Sequence, residues 1–268
     1  MFLVVAAVLC GVVIGTLSGI LGVGGGSMMV PLFRLGFGMS ALAATGTSMF
    51  AMIFTSIGGS VSHVRNKTCI VPLALVAGGC GALTSPIGVW LASRSPAWMV
   101  MTAAALVVAY SAATMIRKGL AVPKTSALGE GEGSTQPIKT PRLSRRQYLL
   151  GAVAGIAAGV AGGYVGLGGG FLMVPIFLSG VGITMKHASG TSLFAVAIIA
   201  ASAAFTQGAL GNVDVAIGLA VAAGSIPAAM LSANLVKRIP ERSLRLGFGL
   251  FLLVVAVLLA VNEFVVGG

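Results

Sequence analysis

Two runs of glycines interrupt apolar stretches of this chain, and their surroundings suggest the chemistry of anion binding. Their members are Gly24, Gly25, Gly26, Gly168, Gly169 and Gly170. Backbone without Cβ atoms lets a solute approach closely, and a helix that starts after such a run presents unpaired N–H groups and a positive dipole end. Two such ends would form an anion site without lysine. The alternative is that the glycines only permit a tight turn and close packing, as the Gly15-x-x-x-Gly19 motif also would.

Hydroxyl side chains open the next apolar segment of each half. Those that we expect to contact a solute are Thr47, Ser48, Thr191 and Ser192. They could donate hydrogen bonds to sulfonate or carboxylate oxygens. Equally, serine and threonine in membrane helices often bond across helices or to their own backbone.

One polar side chain stands near the end of the same predicted segment in each half, His63 in the first and Gln207 in the second. The topology predicted below puts them at opposite faces of the membrane, where they could act as gates. A polar residue at the interface needs no function, so both interpretations stay open.

The two glycine runs belong to an internal repeat. The stretch from Gly15 to Pro31 recurs from Gly159 to Pro175 with a spacing of 144 residues, and the same spacing aligns residues 44–50 with residues 188–194 without a gap. Two copies of one unit in an apolar chain indicate a duplicated membrane protein with a site between its halves.

The composition excludes an ordinary soluble domain. Apolar residues make up 57% of the chain and charged residues 8%, and the mean hydropathy is +1.06, whereas a soluble domain carries about a quarter charged residues. The Lys and Arg residues that give the net charge of +11 lie in short connections and one linker. Basic loops stay on the cytoplasmic side of a membrane, so this pattern indicates membrane orientation rather than nucleic-acid binding. The three cysteines are odd in number and widely spaced, which favours buried thiols over a disulfide or a metal site.

Apolar segments form two equal sets around a polar linker. We predict an N-terminal repeat over residues 1–116, a basic linker over residues 117–146 and a C-terminal repeat over residues 147–268. The predicted segments cover residues 2–35 with a break at 22–26, 41–61, 70–91 and 97–116, and then 151–178 with the second break, 187–207, 213–236 and 244–261.

Each broken segment either crosses the membrane once or returns as a hairpin. Its second arm is too short to span alone, since about a dozen residues at 1.5 Å each cover about 18 Å of a core about 30 Å thick. With the linker in the cytoplasm, the hairpin keeps fourteen of the sixteen basic residues inside and leaves Arg34 and Arg94 outside, as the positive-inside rule favours. We therefore predict an all-α polytopic membrane bundle of two inverted repeats, each with a glycine-broken re-entrant helical hairpin and three transmembrane helices. Both termini then lie outside.

Acidic and nucleophilic residues are too few for catalysis within the membrane. The acids are Glu130, Glu132, Asp214, Glu241 and Glu263, in the linker or at or near predicted helix ends. A proton relay and many cation sites need a carboxylate at mid-membrane, and an intramembrane enzyme needs a nucleophile–base pair or a metal cluster. We expect no enzyme activity, no metal site and no cofactor. An exported anion needs no relay, because a negative interior favours its exit by about 2.3 kcal/mol per charge per 100 mV.

The doubled run Gly-x-x-x-Gly-x-x-Gly-x-Gly-Gly-Gly-x-x-x-Val-Pro, followed by Ala-Thr/Ser-Gly-Thr-Ser-x-Phe, resembles the sulfite exporter TauE/SafE family of membrane transporters. The likeness covers the chain outside the linker. It implies a multi-pass transporter of the bacterial inner membrane that moves small anions of the sulfite, sulfonate or sulfoacetate class. We expect export by alternating access, with the small anion and the lipid bilayer as partners and the oligomeric state left open. An anion channel is the alternative, and an intramembrane enzyme is a weaker one.

Overall fold

The computed structural model describes residues 2–120, 143–236 and 239–266, and these residues form helices joined by short turns, with no strand among them. Two short helices each continue into a π-helical turn, Leu32–Gly36 and Phe177–Val181. In chain order the helices are α1 (Phe2–Leu21), α2 (Gly26–Pro31), α3 (Ala41–Arg65), α4 (Val71–Arg94), α5 (Ala97–Leu120), α6 (Arg145–Val165), α7 (Gly170–Ile176), α8 (Met185–Ala209), α9 (Val215–Leu235) and α10 (Glu241–Val266).

The two halves carry the same succession of helices. The short helices α2 and α7 begin at Gly26 and Gly170, and α4 and α9 begin at Val71 and Val215, so the starts keep the spacing of 144 residues. Within the described residues, the prediction of an all-helical bundle with a glycine break in each half is confirmed.

The helix that opens the second half begins earlier than the apolar pattern predicts. The pattern starts at Gly151, whereas α6 starts at Arg145. Ser144 and Gln147 form a capping box there, in which the side-chain oxygen of Gln147 accepts a hydrogen bond from the Ser144 N–H at 2.8 Å. Residues 121–142, the larger part of the predicted linker, lie outside the described residues, so the linker boundaries stay a prediction.

Six of the described helices are long and apolar enough to cross a membrane, namely α3, α4, α5, α6, α8 and α9. Their outer faces carry exposed apolar side chains such as Leu83 and Phe205, which are 80% and 82% exposed. Exposed apolar surface of this kind is the surface that contacts lipid. The chain is a multi-pass membrane protein.

Helices from opposite halves pack backbone to backbone at glycine stripes. The pair α1 and α9 and the pair α4 and α6 are both built in this way, and a Cβ atom on the glycines of α1 or α6 would overlap main-chain atoms of the partner helix. Small residues at every fourth position allow this approach. The stripes are Gly11, Gly15 and Gly19 in α1 and Gly155, Gly159 and Gly163 in α6.

The helices α3 and α8 meet at the centre of the bundle. An 18-residue window in each is 67% buried, against 39–44% in the other four long apolar helices. Gly46 near the start of α3 lies against Gln207 near the end of α8, and Gly190 near the start of α8 lies against His63 near the end of α3. The start of each helix therefore contacts the end of the other.

Candidate functional site

The glycine runs form the two breaks in the helices through left-handed backbone. Gly24 and Gly25 have φ angles of 83° and 87°, and Gly168 and Gly169 both have φ angles of 74°. Residues with a Cβ atom rarely adopt these angles, and the cost is about 1–2 kcal/mol per residue. The helices α2 and α7 begin directly after these residues, with Gly25 and Gly169 at their N-cap positions.

The structure brings each glycine run into contact with the residues just before the other run. A Cβ atom on Gly26 would lie 3.1 Å from the carbonyl oxygen of Gly166, and a Cβ atom on Gly170 would lie 2.9 Å from the carbonyl oxygen of Val23. The runs therefore pass each other at main-chain distance, which only residues without side chains permit. All six glycines of the two runs are buried.

Ser48 and Ser192 hold the glycine runs by matching hydrogen bonds. The Ser48 hydroxyl donates to the carbonyl oxygen of Gly166 at 2.7 Å, and the Ser192 hydroxyl donates to the carbonyl oxygen of Gly22 at 2.8 Å. Each bond joins a central helix to the glycine that stands two residues before the run of the other half. Each hydroxyl also lies within hydrogen-bond distance of a carbonyl oxygen of its own helix, that of Thr45 for Ser48 and that of Ser189 for Ser192. Both side chains therefore bond to backbone in this conformation, and their contact with a solute stays a prediction.

Thr47 and Thr191 connect the central helices to the neighbouring helix starts. The Thr47 hydroxyl oxygen accepts a hydrogen bond from the N–H of Asp214 at 2.9 Å, and the Thr191 hydroxyl oxygen accepts one from the N–H of Ile70 at 3.0 Å. Asp214 in turn caps α9 through its carboxylate. The hydroxyls expected beside the glycine runs thus lie in the core, and each bonds to backbone groups.

Met52 and Val196 fill the space between the glycine runs, and the sequence did not single them out. A Cβ atom on Gly24 would lie 2.8 Å from the sulfur of Met52 and 2.6 Å from Cγ1 of Val196, and one on Gly168 would meet the same two side chains. The two residues are 144 positions apart and each follows a site serine by one helical turn. That spacing is the signal that could have identified them.

His63 and Gln207 are buried at opposite ends of the α3–α8 pair. The His63 Nε2 lies 2.9 Å from the Gly19 carbonyl oxygen, so this nitrogen carries a proton, and Nδ1 lies 2.8 Å from the Thr68 hydroxyl. The Gln207 side-chain oxygen accepts from the Asn212 amide at 2.9 Å. Both side chains form hydrogen bonds to residues at the ends of helices. A gate role for them stays a prediction.

A cavity of about 660 Å³ opens along the outer seam of α3 and α8. Its wall is almost wholly apolar, and Ile57 in that wall is 50% exposed. Such an apolar groove is surface of the kind that contacts lipid. None of the residues that line it belongs to either glycine run. The described residues contain no group of His, Cys, Asp or Glu side chains that could hold a metal ion.

The sequence is similar over most of its length to curated proteins that are named as probable membrane transporters. "Probable membrane transporter protein YdhB" of Bacillus subtilis (strain 168) is 25% identical over 229 residues, which cover 85% of this chain and 88% of that protein. A "Probable membrane transporter protein" of Haemophilus influenzae (strain ATCC 51907 / DSM 11121 / KW20 / Rd) is 26% identical over 283 residues, 95% of this chain and 97% of that protein. No solved structure matches.

The family described as "Sulfite exporter TauE/SafE" matches residues 7–259. That range takes in both glycine runs, both central helices and the contacts between them. The chain therefore belongs to the sulfite exporter TauE/SafE family of membrane transporters.

Proposed function

We propose that this membrane transporter exports small oxyanions of the sulfite, sulfonate or sulfoacetate class across the bacterial inner membrane by alternating access. The crossing of the two glycine runs between α3 and α8 carries the proposal. It places two helix starts and bare main chain at the centre of a membrane bundle, where N–H groups and dipole ends favour an anion. Membership of the TauE/SafE family supports the solute class.

Helix directions support an inverted repeat with a re-entrant hairpin in each half. The helices α3 and α8 run antiparallel, since the start of each contacts the end of the other, and α6 and α8 both run parallel to α4. Gly11 and Gly19 of α1 lie against Val221 and Ala229 of α9. Likewise, Thr47 near the start of α3 bonds to the residue that caps the start of α9. Ser62 near the end of α3 donates to the carbonyl oxygen of Met230 near the end of α9. The helices α1 and α3 thus both run parallel to α9, so the chain between them, which includes α2, has to return to the face where α1 began.

The basic residues support a cytoplasmic linker. Arg65 is the last residue of α3, Arg145 is the first residue of α6, and Lys186 lies in the first turn of α8. In the hairpin topology these three residues lie at the same end of the bundle. Arg34 and Arg94 belong to the other end. This distribution satisfies the positive-inside rule if the linker end is cytoplasmic.

The proposed site consists of the glycine runs with the hydroxyls that hold them. Gly24, Gly25, Gly26, Gly168, Gly169 and Gly170 supply the main chain that a solute approaches. Ser48 and Ser192 fix the position of the runs, and Thr47 and Thr191 connect the central helices α3 and α8 to α9 and α4. His63 and Gln207 are the proposed gates at the two ends. All six glycines are buried, so a solute enters only when the halves move, as alternating access requires.

The experiment that tests this function is transport by purified protein in liposomes. Vesicles are loaded with sulfite, methanesulfonate, sulfoacetate, sulfate or acetate, and efflux is compared with that from protein-free vesicles. We expect saturable efflux of sulfite, methanesulfonate and sulfoacetate. A rate that rises linearly with concentration would indicate a channel instead, and no efflux of any of them would contradict the proposal.

A further inference from the structure

Two buried hydroxyls beside the first glycine run have no hydrogen-bond partner among the described residues. Ser18 is 2% exposed and Ser27 is 0% exposed, and neither Oγ atom meets a donor or an acceptor. Burying an unpaired hydroxyl costs free energy, and such groups in native proteins usually bind a water molecule or another ligand.

Both hydroxyls belong to residues that flank the same glycine. Ser18 lies in the last turn of α1, and its Cβ atom is 3.7 Å from the position of a Cβ atom on Gly25. Ser27 is the second residue of α2, which starts directly after Gly25. The first N–H groups of a helix have no acceptor within it. Two residues with unpartnered hydroxyls therefore adjoin the start of α2, where main-chain N–H groups also lack an acceptor within the helix.

The equivalent place in the other half has no such donors. Ser18 corresponds to Gly162 and Ser27 corresponds to Phe171 at the spacing of 144 residues. Gly169, the equivalent of Gly25, lies against the methyl group and carbonyl oxygen of Ala158. The two glycine runs are alike in backbone, but only the first has these unpartnered hydroxyl side chains beside it.

We infer that the N-terminal half alone supplies the side-chain donors of the anion site, through the hydroxyls of Ser18 and Ser27. This inference rests on the proposed function. A sulfite or sulfonate group has three oxygens, enough to accept from both hydroxyls and from main-chain N–H groups at once, whereas a carboxylate has two. The second run contributes main chain and shape only.

Alanine variants separate a ligand site from ordinary core packing. The test compares Ser18→Ala, Ser27→Ala and the double variant with Ser111→Ala, whose hydroxyl on α5 is also buried and unpartnered. Thermal unfolding of the purified full-length protein is measured without oxyanion and during titration with methanesulfonate and with sulfite at constant chloride. Without oxyanion, we expect unfolding midpoints equal to or above that of the wild type, because removal of an unpaired buried hydroxyl removes a desolvation cost.

The same titrations give the expected loss of binding. The apparent Kd for methanesulfonate should rise about tenfold for each hydroxyl removed, as for hydrogen bonds to a charged group, whereas Ser111→Ala should bind like the wild type. Ser18→Cys and Ser27→Cys keep the volume with a weaker donor and should show the same direction, so they serve if an alanine variant does not fold.

Two outcomes overturn the inference while the proposed function stands. One is an unchanged Kd in the double variant. The other is a lower unfolding midpoint without oxyanion in both single variants, since the hydroxyls would then have partners within the protein. A wild-type protein that neither binds nor transports these anions overturns the proposed function as well.

Discussion

Met52 and Val196 occupy equivalent positions in the two halves, and their side chains meet in the space between the glycine runs. Both contact the position of a Cβ atom on Gly24 and on Gly168. Met52 also contacts that of Gly26, and Val196 contacts that of Gly170. Each central helix thus contributes one apolar side chain to the crossing, and together these side chains close it in the conformation described.

Shortening the Met52 side chain should enlarge the space between the glycine runs. Met52→Ala should lower the free energy of unfolding by about 2–5 kcal/mol, as for buried methionines elsewhere. It should also raise the efflux of a bulky sulfonate relative to sulfite, because the side chain limits the space. Met115→Ala removes a methionine of α5 that is equally buried and should cost stability without changing the ratio. An unchanged ratio in Met52→Ala would show that Met52 does not line the path.

Alanine at the N-cap glycines should abolish transport. Gly25→Ala and Gly169→Ala place a Cβ atom on left-handed backbone and against Ile14 and Ala158, respectively. The controls are Gly38→Ala and Gly182→Ala, which also have positive φ angles but no atom within 4 Å of the new Cβ. We expect the controls to lose about 1–2 kcal/mol of stability and to keep transport. Normal efflux through Gly25→Ala and Gly169→Ala would rule out the glycine crossing as the site.

Removing the hydroxyls that hold the glycine runs should have equal effects in the two halves. Ser48→Ala and Ser192→Ala each leave a buried carbonyl oxygen without its donor, at a cost of about 1–3 kcal/mol. Ser93→Ala, which removes an exposed hydroxyl bonded within its own helix, should change the unfolding free energy by less than about 0.5 kcal/mol. Chemical denaturation of purified protein measures these differences. A neutral result for Ser48→Ala would mean that the bond does not stabilise the run.

Cysteine labelling tests the topology. Asn66→Cys and Ser95→Cys stand just after α3 and α4 and change no charge. A membrane-impermeant thiol reagent added to intact cells should label the position at residue 95 and not the one at residue 66. Labelling of both or of neither position, or the reverse pattern, would contradict the orientation.

The native thiol nearest in sequence to residue 66, that of Cys69, could add background to that labelling experiment. Burial raises the pKa of the Cys69 thiol to about 12. Its thiolate fraction is therefore very small at neutral pH and grows only as the pH approaches that value, so Cys69 should react slowly in the folded protein. Rapid modification of Cys69 at neutral pH, measured by mass spectrometry, would show that the loop between α3 and α4 opens.

Much of the helix layout could be predicted from the sequence, because apolar runs and glycine breaks are local signals. The run from Phe2 to Leu21 is the helix α1 to the residue. The start of α6 was missed because Arg145 and Arg146 are polar, although the capping box in front of them favours a helix. The partners of Ser48 and Met52 could not be predicted, since both contacts depend on how the halves pack.

The most direct test of the glycine crossing as an anion path is methanesulfonate efflux from liposomes under a potassium diffusion potential. With an inside-negative potential, wild-type protein should lower the inside-to-outside ratio of the monovalent anion by about 50-fold per 100 mV. The Gly182→Ala control should do the same, and Gly169→Ala should not move the anion. Efflux that does not respond to the potential, or that persists in Gly169→Ala, would contradict the account.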